Sequence, residues 1–457
     1  MQTLSGFDFF SLTFDENGKL TSSAELENLK TRAARASGVV FLAHGWRNSV
    51  ADATSLYTSF LANFRAHFTR PECQVLNTRD FAVAGVYWPS LDLPETFPKL
   101  EGSTQSLDED APLIAALTQK LNDLKDLAPG CEQQLDQAIQ LLPSLKTDGA
   151  AQNAFTDLVL SIVKDPVPDP TEGFDALRNQ DGATILQKLS APVILPTAAP
   201  DADPDSGGVM SFDDSMTGST EGFASMLGSI LGGADRFINF TTWWTMKNRS
   251  GVVGANGVAQ AVRDVAAGKP GLQIHLVGHS LGGRLMAACA KSLAQDPLYR
   301  PTSVTLLEAA FSHFGFSADN GQGTPGFFRD VIAKKVTKGP LIATFSAQDT
   351  VVGTTYALAS RVAGDNVKAI GDANDPFGGL GRNGAIKTTE STSNKLKKAD
   401  TPDGPYQFQL GVVNCLDGSG GLIKDHGDVT NPDVTYAFAC SVVSTQAGSA
   451  ATGGGST

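Results

Sequence analysis

Residues 272–283, with the sequence LQIHLVGHSLGG, decide the fold of this chain. Residues 272–277 are mostly apolar, as in a strand buried in a sheet, and residues 283–293 have the apolar spacing of a helix. Between them lies a Gly-x-Ser-x-Gly pattern centred on Ser280. A serine on such a sharp strand-to-helix turn is exposed at the carboxyl edge of its sheet, where it can act as a nucleophile. The alternative is a glycine-rich turn that carries an ordinary surface serine.

The sequence on either side alternates between predicted strands and helices. Residues 39–43 and 81–88 are apolar strands that flank a helical pattern at residues 52–68, which together form a βαβ unit. The other predicted strands are residues 303–307, 341–346 and 408–415, and another helix is predicted at residues 252–266. This alternation predicts an α/β fold with a mostly parallel, doubly wound sheet.

Residues 91–240 interrupt the alternation. They contain helical stretches at residues 112–127 and 133–145, proline-rich connections, and an acidic Gly/Ser-rich run at residues 201–222 that we expect to be mobile. We predict that they form a large lid-like or cap-like insertion that is partly disordered. The predicted organisation is a first part of the core at residues 1–90, the insertion at residues 91–240, a second part of the core at residues 241–445 and a disordered tail at residues 446–457.

The end of this insertion is unusually apolar and aromatic. Its large apolar side chains are Met226, Leu227, Ile230, Leu231, Phe237, Ile238, Phe240, Trp243 and Trp244. We favour the interpretation that they pack as the core of the insertion against the main domain. The alternative is an acyl-chain pocket or a mobile lid, for which Gly228, Gly232 and Gly233 would be the hinges.

Composition limits the classes of partner. The 457 residues include 35 basic and 48 acidic side chains, a formal charge of −13. Non-specific nucleic-acid binding requires a basic surface, so that class is excluded, and docking on anionic membranes is disfavoured. The chain lacks both an apolar run of roughly 20 residues and the basic and apolar regions of a signal peptide. We therefore predict a cytoplasmic protein without stable membrane insertion, with leaderless export or a lost leader as the alternatives.

The cysteines and acidic residues do not indicate a metal or cofactor site. None of the five cysteines has metal-ligand spacing, and we predict reduced thiols, with a Cys415–Cys440 disulfide as the alternative. Asp425, Asp428 and Asp433 are expected to form a solvated acidic loop rather than a cation site. The sequence has no P-loop, dinucleotide-binding, zinc-protease or EF-hand pattern, so no cofactor and no metal are predicted.

Several short motifs resemble one superfamily. Residues 278–283 (GHSLGG) resemble the nucleophile turn of α/β-hydrolase lipases and esterases, and residues 44–46 (HGW) resemble the oxyanion strand of that superfamily. Residues 87–90 (YWPS), 246–251 (MKNRSG) and 308–313 (EAAFSH) resemble a little-characterised bacterial subgroup of serine esterases. The resemblance covers residues 38–90 and 241–440 and leaves out the insertion. It implies the α/β-hydrolase fold but no particular substrate.

The resemblance also implies a set of site residues. In the superfamily the oxyanion is bound by two backbone N–H groups, which here would be those of Trp46 and Leu281. The nucleophile, the acid and the base follow one another along the chain, each after a strand. That order favours Ser280, then Asp349 after the strand at residues 341–346, then His426 after the last strand.

Other residues compete for these roles. His313 also follows a strand end and is the main rival for the base. His67 is expected at the surface and His275 in the core, and the resemblance implies that His279 packs beneath the nucleophile. The rival acids are Asp330, Asp372 and Asp375. Asp349 itself has the alternative role of a helix cap or turn residue.

The predicted function is hydrolysis of carboxylic esters through an acyl-enzyme, with a small-molecule or lipid ester as the substrate. The alternatives are a lipase or phospholipase that acts on long acyl chains, and a non-catalytic binding protein with the same fold. A third alternative is an enzyme that cleaves amides, because a Ser-His-Asp triad serves both kinds of bond. The sequence leaves the oligomeric state open.

Overall fold

The computed structural model describes residues 2–90, 110–164, 169–190, 229–321, 323–363, 373–400 and 404–450. These residues contain one nine-stranded sheet with the strand order β1-β2-β4-β3-β5-β6-β7-β9-β8. The strands are β1 (Gln2–Leu4), β2 (Phe7–Thr13), β3 (Gly38–Ala43), β4 (Phe81–Tyr87), β5 (Gln273–His279), β6 (Ser303–Leu307), β7 (Leu341–Phe345), β8 (Ser391–Lys395) and β9 (Val413–Asp417). Every neighbouring pair is parallel except β1 and β2, which are antiparallel. The predicted α/β architecture with a mostly parallel sheet is confirmed.

Helices surround this sheet. They are α1 (Ser23–Ala33), α2 (Val50–Ala66), α3 (Ala111–Leu127), α4 (Glu132–Leu141), α5 (Gly149–Leu160), α6 (Phe174–Arg178), α7 (Gly182–Ser190), α8 (Ile230–Val252), α9 (Ala259–Ala267), α10 (Leu281–Leu293), α11 (Arg329–Ala333), α12 (Thr350–Ala363), α13 (Leu380–Asn383) and α14 (Pro432–Ala450). Most of them follow or precede a strand, as expected when parallel strands are joined by crossover connections.

The two faces of the sheet carry two separate apolar cores. Successive side chains of a strand point to opposite faces. Accordingly Phe41 of β3 belongs to a core that includes residues of α1, α8 and α10, whereas its neighbour Val40 belongs to a core that includes residues of α2 and α14. The central strand β3 is buried along its whole length, which explains why its sequence is continuously apolar.

The same division by face separates two cysteines. Cys415 of β9 packs in the core that contains Phe41, and Cys440 of α14 packs in the core on the opposite face. All five cysteines are free thiols. The Cys415–Cys440 disulfide considered from the sequence is therefore absent, because the sheet lies between the two side chains.

The described part of the predicted insertion is helical. Helices α3, α4, α5 and α7 pack in succession on one another, and α7 packs along α8. Phe237 and Phe240 of α8 are fully buried, and Trp243 and Trp244 are 3% and 4% exposed, so this stretch forms core. Helix α8 continues without a break past residue 240, so one helix belongs to both the insertion and the main core.

Some predicted features lie outside the described residues. These are the acidic run at residues 201–222, Met226, Leu227 and the hinge residue Gly228, the rival acid Asp372, and residues 451–457 of the predicted tail. Residues 446–450 belong instead to α14, which ends at Ala450. In the described part of the chain, no helix is both long enough and apolar enough to cross a membrane.

Some element bounds differ from the prediction, and three strands were missed. The strand predicted at residues 408–415 begins only at Val413, because Gly411 adopts a φ of +74° and Phe408 stacks on Tyr406 outside the sheet. The helix predicted at residues 252–266 is present, but its first part, Val253–Val258, is π-helical, and α9 begins only at Ala259. Strands β1, β2 and β8 were not predicted at all.

Candidate active site

The candidate nucleophile Ser280 lies on a strained turn between β5 and α10. Its backbone has φ 56° and ψ −125°, a region that residues with a side chain rarely adopt. Two hydrogen bonds hold the turn against the end of β6, from Ser280 N to Leu307 O (3.0 Å) and from Ala310 N to Ser280 O (3.0 Å). The neighbouring strand therefore maintains the strain, and the serine is presented at the carboxyl edge of the sheet.

A close backbone approach at Gly45 brings the loop after β3 against this serine. A Cβ atom on Gly45 would lie 2.8 Å from Ser280 Cβ and 3.3 Å from Ser280 Oγ. Contacts below 3.0 Å are essentially not seen for real Cβ atoms. Only glycine therefore allows this loop to pass directly beside the hydroxyl.

The candidate acid and base are joined by a buried hydrogen bond. His426 Nδ1–H donates to Asp349 Oδ2 (2.9 Å), and the exposed fractions of the two residues are 4% and 0%. Asp349 lies between β7 and α12, and its other oxygen accepts from Val352 N (2.9 Å). Because Nδ1 carries the proton in this contact, Nε2 is the ring nitrogen left to accept one.

The charge state of Asp349 results from opposing effects. Burial alone would raise the pKa of the carboxyl. The charge of His426, its hydrogen bond and the Val352 amide outweigh burial and lower the pKa of Asp349 below its ordinary value. The carboxylate form is thus favoured at neutral pH, as required of a group that orients an imidazole and stabilises its protonated form.

Ser280 and His426 line the same cavity. Its apolar walls include Trp243 of α8 and Val352 and Tyr356 of α12. Trp46 and Leu281, the two residues predicted to bind an oxyanion, also line it. Leu281 is the first residue of α10, where backbone N–H groups have no partner within the helix.

The loop that carries Trp46 is held by several hydrogen bonds. Trp88 Nε1 donates to His44 O (3.0 Å), His44 Nδ1 donates to Gly45 O (2.9 Å), and Asn48 Nδ2 donates to Trp46 O (2.9 Å). Burial lowers the pKa of His44 to about 4, so this ring is neutral. His44 therefore acts as a structural residue of the loop.

The rival histidine lies elsewhere. His313 is completely buried, and its Nδ1 is 3.2 Å from the Asn383 amide nitrogen. Burial lowers its pKa to about 3, and it does not line the cavity that contains Ser280. The structure thus brings His426, and not His313, to the serine.

The rival acids and the other histidines have separate partners. Asp330 forms an exposed ion pair with Lys334, and Asp375 accepts from Ser360. The prediction that His67 lies at the surface was wrong: it is 4% exposed, and its Nε2 lies 3.0 Å from Pro432 O. His275 is buried in the core as predicted, and its Nδ1 lies 2.8 Å from Ser303 Oγ. None of these four residues lines the cavity.

The acidic loop near His426 contains turn and cap contacts. Asp425 accepts from Gly427 N, Asp428 accepts from Lys424 N, and Asp433 accepts from Ala399 N. Within the described residues, no group of three or more His, Cys, Asp or Glu side chains is placed to hold a metal ion. No described cluster of this kind therefore supports a cation at the site.

Two features of the site were missed from the sequence. Glu308 follows β6 at the same sheet edge and is completely buried. Lys247 of α8 forms a buried ion pair with Glu172, and the hydroxyl of Tyr356 donates to the same carboxylate (2.7 Å). Glu308 directly follows a predicted strand, and both Glu308 and Lys247 belong to motifs that carry the resemblance, but neither signal indicates that the two side chains are buried.

The parallel sheet explains why these residues meet. Strands β3, β5, β6, β7 and β9 are consecutive neighbours in the sheet, and all run in the same direction. The residues that follow their carboxyl ends therefore lie along one edge, where open α/β sheets bind their ligands. Comparisons of the chain with protein-family models, with curated proteins and with solved structures found no match.

Proposed function

We propose that this protein is a serine hydrolase of the α/β-hydrolase fold that cleaves carboxylic esters through an acyl-enzyme. One observation carries the proposal: Ser280, on a strained strand-to-helix turn, shares a cavity with His426, whose Nδ1–H is bound by buried Asp349. A serine hydroxyl is a weak nucleophile, and a neighbouring histidine that is oriented by a carboxylate activates it by accepting its proton.

In the proposed reaction, His426 Nε2 takes the proton of the Ser280 hydroxyl as Oγ attacks the ester carbonyl carbon. The tetrahedral intermediate collapses when the bond to the leaving alcohol breaks, and His426 returns the proton to that oxygen. Water then attacks the acyl-enzyme in the same way, which releases the acid and frees Ser280. Asp349 remains a carboxylate throughout and stabilises the imidazolium that forms in each half-reaction.

The oxyanion of each tetrahedral intermediate would be bound by the backbone N–H groups of Leu281 and Trp46. Their positions on either side of Ser280 support this role, since Leu281 follows the serine and Gly45 brings the second loop into contact with it. Loss of one such donor typically costs about 10²–10³-fold in rate. Both groups belong to the backbone, so the side chains at these positions are not required for the role.

The apolar walls favour an ester whose acyl part is uncharged. Trp243, Val352 and Tyr356 present carbon surface beside Ser280, and burial of an acyl chain there contributes about 25 cal/mol per Å². The same walls would serve a lipase or phospholipase, so acyl chain length is the property that separates these functions.

The test is hydrolysis of p-nitrophenyl esters from acetate to palmitate by the wild type, Ser280→Ala, His426→Ala and, as the matched control, His313→Ala. We expect about 10³-fold or greater losses of kcat in the first two variants and turnover in the control. The chain-length optimum tells an esterase from a lipase. Loss of activity only in His313→Ala would reassign the base. An inert wild type in which no fluorophosphonate labels Ser280 would favour a non-catalytic binding protein.

A further inference from the structure

Glu308 is a buried acidic residue that the proposed reaction does not use. It follows β6 at the sheet edge that carries Ser280, and none of its surface is exposed. Its backbone has a φ of 43°, and its N–H donates to Thr344 Oγ1 (3.2 Å). Both carboxyl oxygens are buried without a hydrogen bond of ordinary geometry to the described residues, and the Thr344 hydroxyl and the Ser346 N–H are the groups whose influence favours the ionised form. An ionised carboxylate without donors is costly to bury.

The neighbour of this carboxyl is the candidate catalytic acid. Burial, the charge of Asp349 and a hydrogen bond to its side chain raise the pKa of Glu308 well above its ordinary value, and they outweigh the opposite effects of the Thr344 hydroxyl and the Ser346 N–H. The pKa of Asp349 is lowered. Two carboxyl groups in contact do not both ionise at low cost, so they hold one proton between them.

We propose that Glu308 is a neutral carboxylic acid that donates its proton in a hydrogen bond to the Asp349 carboxylate, and that it is a positioning residue for the acid of the triad. It acts through Asp349 and touches neither Ser280 nor the substrate. Its catalytic consequence rests on the proposed hydrolase function, whereas its protonation state does not.

The geometry around the pair supports this assignment. Asp349 Oδ2 accepts from His426 and Oδ1 from Val352, so an added donor from Glu308 fixes a carboxylate that is already oriented. Gly381 allows its backbone to pass close to Glu308, because a Cβ atom on Gly381 would lie 2.5 Å from the Glu308 carbonyl carbon.

The charged and titratable groups around the pair come from several elements. Arg382 of α13 donates to the Asp349 main-chain oxygen (3.0 Å), and His426 faces Asp349 from the loop after β9. His279, at the end of β5, is held neutral, since burial and the charge of His426 lower its pKa to about 3. At neutral pH the cation nearest the Asp349 backbone is thus Arg382, whose guanidinium does not lose its proton.

The decisive comparison is between Glu308→Gln, which keeps a neutral donor, and Glu308→Met, which has a similar size and no donor. If Glu308 is neutral, Glu308→Gln leaves the acidic limb of the pH profile of kcat/KM in place. Glu308→Met lowers kcat by roughly tenfold, through loss of one buried hydrogen bond, with little change in KM. It also moves the acidic limb to higher pH, because an unshared Asp349 carboxylate holds the imidazolium more tightly.

An ionised Glu308 gives the opposite result. Both variants would then remove a negative charge, and the acidic limb would move to lower pH in both, which overturns the proposal. Infrared spectroscopy of the wild type and of folded Glu308→Gln provides a readout that is independent of turnover. At neutral pH the wild type should show the C=O stretch of a protonated carboxyl that Glu308→Gln lacks. Absence of that band from the wild type overturns the proposal, even if the protein proves not to be a hydrolase.

Discussion

His279 Nε2 donates a hydrogen bond of 2.8 Å to the carbonyl oxygen of His426. The two rings lie 4.7 Å apart, and His279 directly precedes Ser280. Burial keeps His279 neutral, which leaves its Nε2–H available as the donor. The loop that carries the candidate base is therefore tied to the strand that carries the candidate nucleophile, through a histidine that takes no part in proton transfer.

Replacement of His279 by Phe should lower kcat by roughly tenfold, because the His426 carbonyl loses its buried donor and the ring loses its fixed position. His279→Gln, which keeps a side-chain N–H, should recover part of that loss. The measurement is kcat for a p-nitrophenyl ester. The control is His313→Gln, another buried and neutral histidine, which should stay near the wild type. Equal losses in His279→Phe and His313→Gln would contradict a specific role for this contact.

Gly45→Ala should abolish most of the activity, because the added methyl group would lie 2.8 Å from Ser280 Cβ. Either the loop or the serine must move, and a displacement of about 1 Å costs about 10²-fold in rate. The matched control is Gly149→Ala at the start of α5, where an added Cβ meets nothing within 4 Å. The assay is kcat with thermal unfolding in parallel. Full activity in Gly45→Ala would show that the loop does not need this close approach.

Much of this arrangement could be predicted from local sequence. Ser280, Asp349 and His426 each follow a segment whose apolar pattern marks a strand, and parallel strands end at one edge. Strand β8 could not be predicted, because its sequence STSNK is polar, as suits a partly exposed edge strand.

Burial and long-range pairing explain why Glu308 and the Lys247–Glu172 pair were missed. Glu308 belongs to residues 308–313, which resemble a superfamily motif, but no local pattern tells a buried carboxylic acid from a surface one. The Lys247–Glu172 pair joins two residues that are distant in the chain, and each alone resembles an ordinary charged surface residue. Such features depend on the tertiary structure, and the sequence periodicity does not contain them.

The pH dependence of stability should reveal the raised pKa of Glu308. The unfolded chain ionises this carboxyl above its ordinary pKa of 4.5, while the folded chain keeps the proton, so the stability that Glu308 contributes is lost as pH rises through its folded pKa. Glu308→Gln avoids that loss. Its free energy of unfolding, relative to the wild type, should therefore increase from pH 4.5 towards pH 8 in urea titrations.

A carboxyl of the opposite kind provides the control for that experiment. Hydrogen bonds from Arg329 and Thr389 lower the pKa of Glu390 to about 2. Its stabilising contribution is fully present above the unfolded pKa of 4.5 and is lost as pH falls towards about 2. Relative to the wild type, Glu390→Gln should therefore lose stability from about pH 2 to 4.5 and stay level from pH 4.5 to pH 8. If Glu308→Gln also stayed level from pH 4.5 to pH 8, the raised pKa of Glu308 would be refuted.

Trp243→Ala should move the chain-length optimum towards longer acyl groups. The indole lines the cavity beside Ser280 and packs edge-to-face on Tyr356, with ring centroids 5.6 Å apart. Trp244→Ala is the matched control, since Trp244 is equally buried but does not line the cavity. Both variants should lose about 3–5 kcal/mol of stability. Only Trp243→Ala should change the ratio of kcat/KM for the octanoate ester to kcat/KM for the acetate ester. An equal change of this ratio in Trp243→Ala and Trp244→Ala would show that the Trp243 side chain does not limit the acyl chain length.

Removal of the charged Lys247 side chain from the buried Lys247–Glu172 ion pair should strongly destabilise the fold. The exposed fractions of the two side chains are 1% and 2%, and Lys247 Nζ lies 4.5 Å and 4.6 Å from the ring centroids of Trp243 and Trp244. Lys247→Met leaves the Glu172 charge buried, at a cost of about 3–5 kcal/mol in the free energy of unfolding. Combining it with Glu172→Gln should restore most of that loss.

The exposed pair Lys395–Asp417 provides the comparison for this cycle. Lys395 is 77% exposed, so Lys395→Met should cost at most about 1 kcal/mol. Urea unfolding of the four variants measures both effects on one scale. If Lys247→Met cost no more than Lys395→Met, Glu172 would have to be neutral in the folded protein. Lys247 would then be held by the aromatic rings of α8 rather than by an ion pair, since cation–π contacts do not require the carboxylate.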